Sequence, residues 1–139
     1  MSVKENKAII NAWVQQVWNR KKVTAVDEFL APDYVEHNLA HPDETGNLQS
    51  TKQMIASFIS AFPDCYVTYD DVFAEGDRVA VRLTCRATRK GEFAGIAPTG
   101  KEVTFMGISI ARIAEGKIAE MWEIIDFPGL MKQIGAMPS

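Results

Sequence analysis

Apolar residues early in the chain recur at Ile10, Trp13, Val14, Val17 and Trp18. That i, i+3, i+4, i+7, i+8 spacing marks one face of an amphipathic helix. Ser2 and Glu5 precede it with the spacing of a capping box, which predicts where the helix starts. A second, shorter helix is predicted with Val23, Val26, Phe29 and Leu30 on its apolar side, and Pro32 stops it. Asp33 to Asn38 is a short polar and aromatic stretch. Ala40 to Asn47 holds His41, Pro42, Asp43 and Gly46 and reads as a loop. Ser50 and Gln53 form a second capping box. Ile55, Phe58, Ile59 and Phe62 line one face of the helix that follows, and Pro63 ends it.

From Cys65 onward the period changes. Strand-like runs cover about Tyr66–Phe73, Arg78–Thr88, Lys101–Ile113 and Lys117–Asp126. Glu75-Gly76-Asp77 and Glu115-Gly116 are short turns, which imply antiparallel neighbours. A longer Gly/Pro loop runs from Lys90 to Gly100, and Pro128 near the front of the last segment predicts a short terminal helix. Three helices followed by four strands is an α+β pattern. No repeat, low-complexity segment or linker divides residues 1–139, which read as a single domain.

The strands differ in what their two faces carry. Val103 and Phe105 point one way while Met106, Ile108 and Ile110 point the other, so both faces of that strand are apolar. A homodimer formed sheet to sheet would cover the second face; a monomer with a locally sticky surface is the alternative. In Arg78–Thr88, Val79, Val81, Leu83, Cys85 and Ala87 form a core face. The other face carries three arginines. It is either a solvated or dimer-facing surface, or a place from which Arg82 reaches a ligand carbonyl or carboxylate.

Composition narrows the classes. The net charge is −3, and the Lys and Arg residues are mostly scattered, so nothing points to nucleic acid. No apolar run approaches the roughly 18 residues of a membrane span. The first residues lack the apolar core of a signal peptide, and a cytoplasmic location is expected. Cys65 and Cys85, both in strand-like segments, read as buried free thiols, with a disulfide between them as the alternative. There is no Gly-rich phosphate loop and no Gly-x-Ser-x-Gly elbow. His37 and His41 have no fixed third ligand, so no metal site is predicted.

Two residues stand out for chemistry. Asp126 ends a strand on the parity of Ile118, Trp122 and Ile124. A carboxyl on such an apolar face loses hydration, which suits it to acid/base work. The other reading is that Asp126 caps the terminal helix. His37 is either a proton-transfer group or a hydrogen-bonded structural residue, since histidine exchanges protons near neutral pH. Trp122, Trp18, Trp13, Phe58, Phe62 and Met106 are most simply core, and several would line a pocket if the sheet curls.

The chain also resembles a known family. Tyr34-Val35-Glu36-His37, Ala61-Phe62-Pro63-Asp64 and the run from Asp71 to Arg82 are similar to the SnoaL-like polyketide cyclases. So are Gly95 to Lys101, Gly116 to Glu120, Trp122 to Asp126 and Gly129 to Gly135. The resemblance implies a cone-shaped curved antiparallel sheet with about three N-terminal helices around an apolar pocket. It implies ring closure of a polyketide ester by intramolecular aldol condensation, without metal or organic cofactor. Asp126 matches the family's acid/base carboxylate and His37 a histidine of its first strand. Trp122, Arg82, Trp18, Phe58, Phe62 and Met106 are the expected substrate contacts. The expectation is therefore a cofactor-independent enzyme acting on a small hydrophobic carbonyl compound. Isomerisation or dehydration through an enolate is an alternative, as is a non-catalytic dimeric protein that binds a ligand in the same pocket.

Overall fold

The structure is a computed structural model and describes residues 2–88 and 102–135. Four helices and one six-stranded sheet are found among them, an α+β domain. The Gly/Pro loop predicted from Lys90 to Gly100 lies outside the described residues.

Helix α1 spans Val3–Trp13 and starts at the predicted box: Ser2 Oγ accepts from Glu5 N–H at 3.1 Å, and Ser2 N–H donates to Glu5 Oε1 at 3.0 Å. Its Ile10 and Trp13, with Val14 and Val17 beyond, are buried. The helix does not continue in α form. Val14–Asn19 is a π-helical turn, a feature that often marks a functional site. Asn19, at its end, grips the backbone of Val67: its Nδ2 donates to Val67 O at 2.9 Å and its Oδ1 accepts from Val67 N–H at 2.7 Å.

Helix α2 (Val26–Phe29) is shorter than predicted, because strand β1 begins at Leu30 and runs through Pro32 to Asn38. The stretch read as merely polar and aromatic is therefore a strand. A two-residue strand β2 (Thr45–Gly46) pairs with it. Helix α3 (Leu48–Ala61) is capped by Asn47, with Ser50 as the reciprocal partner; Ser50 is inside the helix, three residues later than its predicted capping role. Strands β3 (Tyr66–Glu75), β4 (Arg78–Thr88), β5 (Glu102–Ala114) and β6 (Lys117–Ile125) follow, then helix α4 (Phe127–Gln133).

The sheet order is β2-β1-β6-β5-β4-β3. The meander β3 to β6 is antiparallel, as the short turns require, but β1 lies parallel to β6, so the sheet is mixed. Three register shifts interrupt the pairing, at β1/β6, β3/β4 and β5/β6. Each bulge bends the strand that carries it, and together they curl the sheet over the helices without closing it.

The alternation read in β4 is present: Val79, Val81, Leu83, Cys85 and Ala87 are buried. In β5, Val103, Phe105, Ser109, Ala111 and Ile113 point inward, while Met106, Ile108 and Ile110 are exposed on the outer face. Replacing Asn19 by alanine strips the Val67 amide and carbonyl of their partners. The expected cost is about 1–3 kcal/mol, measured as a lower urea midpoint with unchanged slope.

Candidate active site

Between the concave face of the sheet and helices α1 and α3 lies a cavity of about 200 Å³. Among the described residues its walls are mostly aromatic and aliphatic. Trp13 and Trp18, five residues apart across the π-turn, both reach it. Phe58 packs edge-on against Trp18 and Phe105, each with 5.9 Å between ring centroids. Phe127, at the start of α4, also borders the cavity.

Its polar lining includes two carboxyls. Glu36 projects inward from β1, and the hydroxyl of buried Tyr34, two residues back on the same face, donates to Glu36 Oε1 at 3.1 Å. Glu123 projects inward from β6, where Asn38↔Glu123 and Glu36↔Met121 are paired registers, so the two carboxyls are neighbours across adjacent strands. Glu123 is half-buried in the wall, and the loss of hydration there pushes its carboxyl up from 4.5 to about 8, with the charge of Glu36 adding to the effect. Burial also raises Glu36, and the Tyr34 hydroxyl partly offsets this by stabilising the carboxylate. Like charges on neighbouring carboxyls disfavour ionisation of both together. Tyr69, on the cavity wall, and Tyr34 are both held protonated, chiefly by burial. Burial pushes the Cys85 thiol up to about 12, which argues against a thiolate nucleophile here. Neither cysteine is in a disulfide, and no cluster of His, Cys, Asp and Glu among the described residues could hold a metal ion.

Glu123 was missed in the sequence because of a bulge. Ile113 pairs with Ile118 and Arg112 with Glu120, so Ala119 has no partner opposite it. Ile118 and Ala119 are buried in succession, and beyond them the faces are exchanged. Met121, Glu123 and Ile125 point into the cavity and Trp122 and Ile124 point out. Strict alternation from Ile118 gives the opposite assignment. Close approach completes this end: a Cβ at Gly107 would collide with the Ile125 side chain and lie 2.9 Å from Ile124 O.

The structure places the sequence-derived candidates as follows. Trp18 and Phe58 line the cavity. Phe62 is fully buried and packs on Phe58, with ring centroids 4.7 Å apart, so it supports the wall from behind. Asp126 is exposed and is the N-cap of α4; its Oδ1 accepts from Gly129 N–H at 2.9 Å, and the absent side chain at Gly129 leaves the carboxylate room to fold back. Among the described residues it is not part of the cavity wall.

His37 borders the cavity, but its ring stacks on Trp122 at 5.2 Å and 9°, and its Nε2 meets Glu120 Oε2 at 2.6 Å. The His37 contact, with Arg112 Nε on Glu120 Oε1 at 3.0 Å, holds Glu120 below the usual carboxylate range. Arg78 covers the Trp122 ring, with 4.7 Å from its guanidinium carbon to the ring centre. His37 and Trp122 thus belong to an outer-face cluster, because alternation along β1 and β6 turns them away from Glu36 and Glu123. Arg82 is on the outer face as well, bridging Asp71 at 2.7 Å and Asp70 at 3.7 Å. Met106 is 48% exposed there.

Fold and site together describe a curled-sheet domain that encloses a small acidic cavity. The sequence pattern of the SnoaL-like polyketide cyclases matches residues 8–134, and the chain belongs to that family. It is 26% identical over 121 residues to the nogalonic acid methyl ester cyclase of Streptomyces nogalater, covering 85% of this chain and 89% of that one. Among solved structures it is similar to AclR of Streptomyces galilaeus, described as a candidate hydroxylase, with TM-score 0.91 and 31% identity over 99% of this chain and 85% of that one. TsrD of Streptomyces laurentii superposes with TM-score 0.85 at 25% identity, covering 99% of both chains.

The shifted acid gives a pH signature. With its folded-state value raised from 4.5 to about 8, the contribution of Glu123 to stability is fully present below about pH 4.5 and is lost as pH rises through about 8. Glu123→Gln should flatten that fall and raise the melting temperature at the alkaline end, read by calorimetry across the window.

Proposed function

We propose that this protein is a cofactor-independent acid/base enzyme that acts on a small hydrophobic carbonyl compound through an enolate. Its specific reaction on this reading is ring closure by intramolecular aldol condensation, as the named activity of the ester cyclase relative suggests. The observation that carries the reading is the pair of neighbouring carboxyls, Glu36 and Glu123, inside an aromatic-walled cavity.

The roles follow from their surroundings. Glu36 keeps a stabilising hydroxyl from Tyr34 and is the readier carboxylate, so it takes the proton from the carbon next to the substrate carbonyl. Glu123 stays protonated near neutrality and donates a hydrogen bond to the enolate oxygen. The enolate carbon then attacks the second carbonyl carbon. A carbon–carbon bond forms, the carbonyl π pair moves to its oxygen, and that alkoxide takes a proton from the pair. No atoms are lost, so product and substrate have equal mass. Asp126, held in the cap of α4, positions Phe127 at the cavity and stays outside the proton transfers.

The likeness to AclR favours a second reading, hydroxylation of the same class of compound, with dioxygen as oxidant and an external reductant. Product mass separates the two, since hydroxylation adds one oxygen atom.

The test of the first reading is α-proton exchange in heavy water, followed by NMR on acetophenone as the probe. Glu36→Gln and Glu123→Gln should each slow exchange by about 10²-fold or more, while Asp126→Ala costs about 1 kcal/mol of stability and leaves exchange within a few-fold. Loss of exchange in Asp126→Ala with exchange retained in both glutamine variants would move the base to Asp126 and overturn the assignment.

The outer face supports a homodimer as the working form. Met106, Ile108, Ile110 and Ile124 are 48%, 52%, 36% and 43% exposed and lie on adjacent strands β5 and β6. Such a contiguous apolar patch suits burial against its own copy. On this reading sedimentation finds a dimer that Ile108→Glu converts to monomer; a monomeric unsubstituted chain removes the proposal.

A further inference from the structure

Closing a ring between two carbonyls builds negative charge on two oxygens in turn, and each gains from a fixed hydrogen-bond donor. On the acid/base reading above, on which this step rests, Glu123 serves the enolate oxygen. The second carbonyl needs a donor on the far side of the cavity, so that the two reacting carbons meet between the two grips.

Several polar groups of the described wall stand on the side of the acids. Ser109 and Asn38 are the register partners of Glu123 on β5 and β1. Asn38 Oδ1 is already taken by Ala40 N–H at 2.9 Å. The Thr51 hydroxyl and Glu36 Cβ are each 3.6 Å from the place a Cβ would take at Gly46, so Thr51 stands beside Glu36. His37 is on β1 as well, with its Nε2 on Glu120.

Tyr69 comes from the other side. It is on β3, the opposite edge of the sheet, and β5 and β4 stand between that strand and β6. Three strand spacings are about 14 Å in a flat sheet. The curl shortens that span: Tyr69 and Glu123 line one cavity, and the charge of Glu123 adds to the burial that keeps the Tyr69 hydroxyl protonated. A bulge supplies the bend, since Tyr69 pairs with Leu83 and Asp71 with Arg82, which leaves Asp70 unmatched. Outer-face contacts pin the bulge. Thr84 Oγ1 donates to Asp70 Oδ2 at 2.6 Å, and Arg82 Nε donates to Asp71 Oδ2 at 2.7 Å. The Tyr34 hydroxyl is committed to Glu36, whereas the Tyr69 hydroxyl has no hydrogen-bond partner among the described residues and is open to a guest. The Cys85 thiol on β4 is a weak donor beside it.

We infer that Tyr69 is a further catalytic residue, the donor that holds and polarises the second carbonyl while Glu36 and Glu123 work on the first. As the carbon–carbon bond forms, the carbonyl π pair moves onto the oxygen that Tyr69 holds, and that hydrogen bond strengthens. Tyr69 keeps its own proton. The alkoxide is protonated by the carboxyl pair, so atoms and charge balance. Removal of the α-proton does not involve this oxygen and does not need Tyr69.

That separation gives the test. The probe is heptane-2,6-dione in heavy water, whose α-proton exchange and closure to 3-hydroxy-3-methylcyclohexanone are followed in one sample by NMR. Tyr69→Phe should slow closure by about 10²-fold while exchange stays within a few-fold and the melting temperature is unchanged. Tyr69→Leu, read by the same ratio of closure to exchange, serves if the phenylalanine variant does not fold. Tyr34→Phe acts through Glu36 and should slow both steps together. An unchanged ratio in the Tyr69 variant overturns the inference, as does an unsubstituted chain that exchanges the probe without closing it; in both cases the acid/base reading stands. An unsubstituted chain that does not exchange the probe removes the acid/base reading, and this inference with it.

Discussion

The parallel pairing of β1 with β6 is the contact on which the site depends. It joins the first strand, which emerges from the helical N-terminal third, to the last, which closes the meander. Without it Glu36 and Glu123 would be on unrelated edges. With it they become neighbours beneath one curled sheet, where burial, with the charge of Glu36 adding to it, makes Glu123 harder to ionise. The cost of desolvating the two acids raises both above the ordinary carboxylate range.

Irregular backbone does much of the positioning. The bulge at Ala119 turns Glu123 inward, and the π-turn at Val14–Asn19 brings Trp18 to the same cavity as Trp13. Asn19 then locks that turn to β3 through two hydrogen bonds with Val67. Each departure from regular geometry is offset by a specific contact: Gly107 makes room for Ile125, and Gly129 lets Asp126 cap α4. The two faces of the sheet are thereby given separate work. The concave face holds acids and aromatic rings, while the convex face carries ion pairs and an apolar patch.

Much of the architecture was legible without coordinates. The capping box at Ser2, the periodicity of α1 and α3, the tight turns of the meander and the two-sided character of β5 are local properties, and local chemistry determines them. The family resemblance supplied the curl of the sheet. The start of β1 was not legible, because Pro32 reads as a helix stop although an extended strand can hold it. Trp18 and Phe58 could be named as wall residues because they share helix faces with the core.

The acids could not be named, and the reason is physical. Side-chain direction along a strand follows a period of two only while the ladder is unbroken, and one unpaired residue reverses it. Nothing in Ile118-Ala119-Glu120 announces the bulge; it exists because β6 must satisfy β5 on one side and β1 on the other. Sequence by itself determined α1, α3, the four-stranded meander and α4, their order, and the family. Only tertiary structure decided that Glu36 and Glu123 face the cavity, that His37 stands at its border held by Glu120 and Trp122, and that Asp126, Trp122, Arg82 and Met106 are engaged elsewhere, because which face a strand residue occupies depends on its neighbours across the sheet.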